Sequence, residues 1–590
     1  MQPASSVTPS DPQLPTILAA AVVQGWALYG LHHAIATRTW PATDLAWLFA
    51  LYAVVVLIPV TVQLLAEQAR ASRTWIMVAL MTLALFYFGW HHGSQVADAR
   101  DAHFAQSGEC FPLALVLTVW WLLTMPFVQA RLATGNWTAD YRALFIHAWR
   151  NAVVLAEAAA FTGIFWLILF LWQSLFHMLG IDFFRDLFSE ALFVYPVTSL
   201  VFGCALHLIG SIDRFVSVVL EQILSVCKWL GTVSGALLGL FTLALISRLP
   251  SLVFTGEKAI GAAWLLWLVA VVVLFLNAAY RDGSAGQPYP RWIAFSLRLV
   301  VPLTVLVSLT AIYALCVRTR HYGLSVERIW AFVVAGAALA YSIGYSIAAF
   351  RSDAWFGGVA RVNVVVALAL IATLALALTP VLSPYRLAAA SQYQAVLTGR
   401  FESVVKPYRG RTPFQYLRFD SGNYGRRKLE ELSKLQNHPQ EQRIRELAAA
   451  AVALTNPWES PPGLSPAEAV ARLKVYPDGR SLDPDLSQKL LADMAAPAHR
   501  YTGGPADGPQ SVGLFIDLKG DGAEEFVLLN AYGGRVYRKE ARGWQYAAGI
   551  YERSPAAWKK LLSELSTGNV AARDPDWKEL WIGAQRFQVQ

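Results

Sequence analysis

Residues 359–384 read VARVNVVVALALIATLALALTPVLSP, with Arg361 as their only charged residue. A chain needs about 20 mostly apolar residues to cross roughly 30 Å of hydrocarbon. Residues 359–381 therefore read as a membrane span, and Pro380 and Pro384 mark the exit from it.

Upstream, the same pattern recurs ten times. Runs at 14–36, 44–65, 75–92, 111–130, 152–176, 191–211, 229–247, 260–279, 293–317 and 329–349 meet or approach span length. Trp40, Trp75, Trp149, Trp229, Trp292 and Trp355 fall near run ends, where amphipathic rings settle at headgroup level. Residues 1–13 lack Lys and Arg, so Leu14–Ala36 reads as a first span rather than as a signal peptide. His177–Glu190 is short and mixed and is expected in the interface. Ile212–Lys228 places Asp213, Ser217, Glu221 and Ser225 on one helical face, as an interfacial helix does.

Downstream of Pro384 the composition changes. Residues 1–384 hold only two lysines, Lys228 and Lys258, whereas the last 206 residues hold 28 of the 48 Lys and Arg. Charged residues make up 15% of the chain against about 25% in soluble proteins. The predicted fold is an α-helical polytopic membrane bundle of about eleven transmembrane helices with a C-terminal soluble domain. Its parts are a polar N-terminus (1–13), the membrane domain (14–381), a helical soluble region (385–500) and a small α+β domain (501–590).

The formal charge of +8 comes without a basic run, and loop arginines explain most of it, so no nucleic-acid partner is expected. With eleven spans, one side collects about eleven basic residues and the other about eight. The positive-inside rule then places the N-terminus in the cytoplasm and the tail in the periplasm of a bacterial inner membrane. The first span alone argues the reverse, because Arg38 follows it. The four cysteines, Cys110, Cys204, Cys227 and Cys316, form no CxxC pair and support neither a disulfide framework nor a zinc ribbon.

In the tail, helices are expected at 385–400, 425–437 and 439–454. Ser465-Pro466-Ala467-Glu468 and Asp483-Pro484 have the chemistry of helix starts. Strands are expected at 512–517, 525–531, 534–539 and 543–550, a helix near 555–565 and a last strand at 585–589.

Three groups of residues carry a family resemblance. They are Asn277-Ala-Ala-Tyr-Arg-Asp-Gly283 with Arg298–Pro302; Tyr313, Arg318, Tyr322-Gly-Leu324 and Arg328; and Pro384-Tyr-Arg386, Ser391-Gln392, Tyr416–Asp420 and Tyr424-Gly425. In these the chain resembles the bacterial polytopic membrane proteins grouped as domain of unknown function 4153, over most of residues 200–590. The resemblance implies a membrane protein of the cell envelope. It implies no activity and no catalytic residue.

Ionisable groups inside spans are costly and often functional. Glu157 lies five residues into an apolar run, with Arg150 seven positions earlier on roughly the same face. The pair reads either as a proton or cation site or as an interfacial ion pair. Arg298 lies early in the ninth span and is long enough to snorkel to the headgroups. His91, His92, Asp98, Asp101 and His103 are metal-ligand types without the spacing of a defined site. Asp517, Asp521, Gly522 and Glu525 fit a short calcium loop, although Lys519 stands where an oxygen ligand belongs. Calcium is the only cofactor with a sequence signal, and an acidic hairpin turn is the alternative.

No Walker A, HExxH, GxSxG or GxGxxG motif occurs. The functional expectation is a binding or assembly role in the cell envelope, with the tail as interaction module and lipid and envelope proteins as partners. A secondary transporter or channel is the second reading, and an envelope glycosyl- or lipid-transferase the third.

Overall fold

The computed structural model describes residues 13–587 except 97–101, 136–139, 212, 255–260, 285, 352–354, 401–410, 455–469, 472, 478, 496–510, 531–532, 542, 552–564, 566–579 and 583–584. Among the described residues, eleven helical stretches are long and apolar enough to span a membrane. They are built from α1 (Leu14–Thr37), α2 (Leu45–Leu64), α3 (Ser72–Val96), α4 (Ala102–Thr134), α5 (Tyr141–Met178), α7 (Ala191–Gly210), α8 (Asp213–Phe254), α9 (Ala262–Tyr280), α10 (Arg291–Val300), α11 (Leu303–Tyr322), α12 (Val326–Phe350) and α13 (Val359–Ala377). The short α6 (Phe183–Ser189) follows α5.

Helices α10 and α11 form one candidate span, Arg291–Arg320. It breaks at Val301-Pro302 because Pro302 has no N–H for the Arg298 carbonyl and its ring crowds that carbonyl. The stretch Ile212–Lys228, expected as an interfacial helix leading into the seventh span, is helical from Asp213 onward and runs without interruption into that span as α8.

Apolar side chains line both the inside and the outside of this bundle. Ile164, Leu167, Ile168, Leu171 and Leu175 on α5 are exposed, a surface suited to lipid rather than water. Inside, one core joins α2, α3 and α4 to Leu374 and Leu378 at the end of α13. A second joins α8 to α12. A third, smaller one packs Val153, Val154 and Ala158 of α5 against Ala205 and Leu206 of α7 and Val216 of α8.

Small residues bring the helices close. A Cβ on Gly89 would meet the Phe49 carbonyl at 2.6 Å, so α3 lies backbone to backbone on α2. The series Gly231, Gly235, Gly239 receives Phe275, Leu297 and Val300 of α9 and α10. It is a packing seam within the chain.

The chain divides into two compact units, the first comprising residues 1–399, 405–411 and 416–431. After α13 come α14 (Pro384–Leu397), α15 (Pro413–Phe419) and α16 (Gly422–Ser433). Helix α14 and most of α16 thus belong to the membrane unit.

The second unit holds α17 (Glu441–Ala453), α18 (Pro484–Ala495) and a five-stranded sheet. The strands β1 (Lys474–Tyr476), β2 (Val512–Ile516), β3 (Glu525–Asn530), β4 (Gly533–Glu540) and β5 (Gly543–Tyr551) lie side by side in chain order. Strand β1 pairs parallel with β2, and the others pair antiparallel. A hairpin of β6 (Leu580–Ile582) and β7 (Gln585–Phe587) follows.

Period-two alternation sends Val527 and Val536 to one face of the sheet, with Val512 and Leu514. It sends Phe526, Leu528 and Tyr537 to the other, against Leu486 and Leu490 of α18. Asp483 caps α18 by accepting a bond from the Asp485 amide at 3.1 Å. The helix start at Ser465 and residues 555–564 lie outside the described residues.

Candidate functional site

Strict alternation of eleven spans assigns the start of α1 to one face, here the N face, and the end of α13 to the other, the C face. The polar contacts between span ends obey it. On the N face the Arg142 Nε–Asp282 Oδ2 pair measures 3.2 Å. There the Arg281 fork also donates to both Glu221 oxygens at 3.1 and 2.9 Å. On the C face Tyr195 and His32 meet at 3.2 Å.

A polar cluster in the bundle centres on Asn363, in the second turn of α13. Its Oδ1 accepts from the Tyr345 hydroxyl at 2.6 Å. Its Nδ2 donates to the Tyr141 hydroxyl at 2.9 Å and to Asn277 Oδ1 at 2.6 Å. Asn277 Nδ2 in turn donates to the Val273 carbonyl at 3.0 Å. One amide thus ties α5, α9, α12 and α13 together near the N face. Beyond the end of α9, the Ser284 hydroxyl and amide, with Arg142, hold the Asp282 carboxyl below the usual carboxylate range.

On the C face, polar residues of α12, α14 and α15 meet at the α11–α12 turn. Gln392 of α14 donates to the Tyr322 and Leu324 carbonyls at 3.3 and 2.8 Å. Ser391 Oγ accepts from the Leu324 amide at 3.0 Å. The Tyr416 hydroxyl accepts from the Val326 amide at 2.9 Å, and Arg328 donates to the Gly323 carbonyl at 2.7 Å. Gly323 has φ of 72°, and a Cβ there would strike Gln392 Nε2 at 2.6 Å. At the end of α3, Asn423 Nδ2 donates to the Ser94 carbonyl and Arg426 to the Gln95 carbonyl.

The intramembrane candidates do not converge. Arg150 Nη2 donates to the Gly210 carbonyl at 3.1 Å, and no Arg150–Glu157 pair forms. Glu157 is half-buried, and its Oε2 has no hydrogen-bond partner among the described residues. It lies between Val154 and Ala158, which pack on α7 and α8. Arg298 belongs to α10, where Ala294 and Leu297 join the α8–α12 core.

His91 and His92 are buried at the end of α3. The His92 ring lies 5.7 Å from that of Tyr385. Asp98 and Asp101 lie outside the described residues. Among the described residues no group of three or more His, Cys, Asp or Glu has an arrangement to hold a metal ion.

The loop from Asp517 to Glu525 is closed on itself. Asp517 Oδ1 accepts from the amides of Lys519, Gly520 and Asp521, and Oδ2 from Gly522 at 2.8 Å. These bonds, Gly522 first, hold the Asp517 carboxyl below its ordinary range. Glu525 is 2% exposed and accepts from the Leu518 amide at 2.9 Å. The Arg538 guanidinium pairs with Asp521, and its Nε lies 3.5 Å from Glu525 Oε1. The Arg538 guanidinium is thus a cation lying against two of the loop's carboxylates.

Sequence reasoning missed Asn363 because one Asn in an apolar run carries no spacing signal. The signal was the number of separate spans with an Asn or Tyr near their N-face ends. No family model, curated protein or solved structure matches the chain, and its helices make it a multi-pass membrane protein with a small mixed-sheet unit at its C-terminal end.

Proposed function

We propose that this chain is a bacterial inner-membrane protein with a binding or assembly role in the cell envelope. Its C-terminal unit is the interaction module, on the periplasmic side. One observation carries the reading: the polar residues that set this sequence apart hold the chain to itself. Ser391, Gln392, Tyr416 and Arg328 fasten backbone at the α11–α12 turn. Asn277 is committed to Asn363. None of these residues is left over for a substrate, so the membrane part reads as an anchor and frame.

A photo-crosslinking side chain placed at Tyr546, an exposed position on β5, tests the module. The expected result in cells is one discrete adduct of defined mass. No adduct from Tyr546 or from the exposed Ile550 overturns the reading. For the orientation, a dual fluorescent and phosphatase reporter at Gln590 is expected to show phosphatase activity. Fluorescence without phosphatase activity rejects the periplasmic side.

Transport is the second reading, favoured by two features. The ninth span breaks at Val301-Pro302 next to Arg298, and broken helices mark transporter sites. Glu157 Oε2 is buried without a hydrogen-bond partner among the described residues. Proton-coupled flux into proteoliposomes that is lost in Glu157→Gln would move the assignment to a transporter.

A further inference from the structure

The net positive charge of the tail is concentrated in one short segment. Residues 384–431 contain nine Lys and Arg against four Asp and Glu, whereas residues 432–590 contain nineteen of each. Apart from residues 400–404 and 412–415, the basic segment belongs to the membrane unit. The neutral remainder makes up most of the other unit.

Helices α14 and α16 of the segment are held at the level of the span ends. Gln392 of α14 bonds to the α11–α12 turn, the Tyr385 ring packs on His92, and Arg426 of α16 reaches the last turn of α3. Helix α16 turns Gly425 and Leu429 inward and leaves Arg427 exposed. Arg386 in the first turn of α14 and Arg318 in the last turns of α11 are exposed as well. No ion-pair or hydrogen-bond partner engages these three guanidinium groups among the described residues. Val381 and Leu382, five and four residues before Arg386 in the sequence, expose apolar surface at the end of the last span.

Exposed arginines and exposed aliphatic side chains together at the span ends, where a bilayer turns from acyl chain to headgroup, match an anionic phospholipid. A soluble anion would need no such depth. We propose that the C face carries a basic collar, with Arg318, Arg386 and Arg427 as its free positions, that binds anionic lipid headgroups. The collar holds the start of the tail against the leaflet. The inference does not depend on which face is cytoplasmic or on what the second unit binds.

The test uses the full chain in neutral detergent, titrated with phosphatidylglycerol, phosphatidylcholine or inorganic phosphate, with thermal unfolding as the readout. Phosphatidylglycerol is expected to stabilise the wild type, and the other two far less. Each basic group near an anionic surface contributes about fivefold in affinity. The triple variant Arg318→Gln, Arg386→Gln, Arg427→Gln is therefore expected to weaken the apparent affinity by up to about 100-fold. The triple Lys variant is expected to retain most of it. An N-face control, Arg70→Gln with Arg73→Gln, is expected to lose much less.

Equal losses in the two Gln sets overturn the proposal. So does an unchanged affinity in the C-face set, or stabilisation by inorganic phosphate to the same extent. If the triple Gln variant does not fold, the wild type still decides. Its preference for phosphatidylglycerol must collapse between about 50 mM and about 500 mM salt, and persistence at high salt rejects the collar.

Discussion

Two polar clusters, one on each face of the membrane unit, are fastened by different chemistry. In the N-face cluster and beside it side chains bond to side chains: Asn363 to Tyr141, Tyr345 and Asn277, Arg142 to Asp282, and Arg281 to Glu221. In the C-face cluster at the α11–α12 turn side chains bond to backbone: Gln392 to two carbonyls, and Ser391 and Tyr416 to two amides. A side-chain pair specifies both residues, so one substitution strands a polar partner inside the bundle. A backbone partner is present whatever residue carries it, so the C face stays open to repair by water at its rim.

The comparison can be broken most severely at Asn363. Asn363→Leu removes three interhelical bonds and is expected to cost about 2–4 kcal/mol at the strengths measured between membrane helices. Unfolding by a denaturing detergent measures it, and a loss under about 0.5 kcal/mol would show that the hub is not a clamp. A double-mutant cycle with Asn277→Ala should return a coupling of about 0.6–1.7 kcal/mol.

Gln392→Leu comes next, at about 1–3 kcal/mol for two stranded carbonyls. The loss should appear as faster proteolysis after Pro384, with the spans left intact. Tyr416→Phe removes one acceptor and leaves the Val326 amide unpaired, at about 1 kcal/mol. Hydrogen exchange at the start of α12 reads it directly, and unchanged protection would refute the bond.

The smallest effect belongs to Asp282. Its carboxyl is depressed in the folded state, so its contribution is present above the unfolded value of about 3.9 and is lost as pH falls through the lower folded value. Arg142 is mostly exposed, so the pair is worth a few tenths of a kcal/mol. Between about pH 5 and pH 3 the wild type should lose slightly more stability than Asp282→Asn. Identical slopes would mean that Ser284 and Arg142 do not hold the carboxylate.

The spans were legible because hydrocarbon thickness is a single strong constraint, repeated eleven times. Bounds moved mainly where helices outrun the bilayer: α5 begins at Tyr141 and α8 at Asp213, beyond the apolar cores at 152–176 and 229–247. In the C-terminal unit β2 to β5 were legible from alternation. Strand β1 was not, because its three residues owe their strand form to a parallel partner 38 positions away, as in Lys474 with Val512. At the sites, residue type was readable and partner was not. Glu157 was paired in the sequence with Arg150, yet Arg150 turns to Gly210. The acidic loop at Asp517 was readable as a turn, but its cation comes from Arg538 on β4, a strand away. Titrating calcium into Arg538→Ala and wild type would show whether that guanidinium holds the place of an ion.

The position of Asn363 bears on how the protein is made. Its partners lie 222 residues upstream at Tyr141 and 86 upstream at Asn277, and chains emerge N-terminus first. Tyr141 and Asn277 are therefore in the membrane well before the amide that satisfies them. Until the last span inserts, Tyr141 on α5 and Asn277 on α9 lack the amide that pairs with them in the folded bundle. The final helix is the keystone, and a chain stalled before residue 359 would hold a bundle whose polar centre is unfinished.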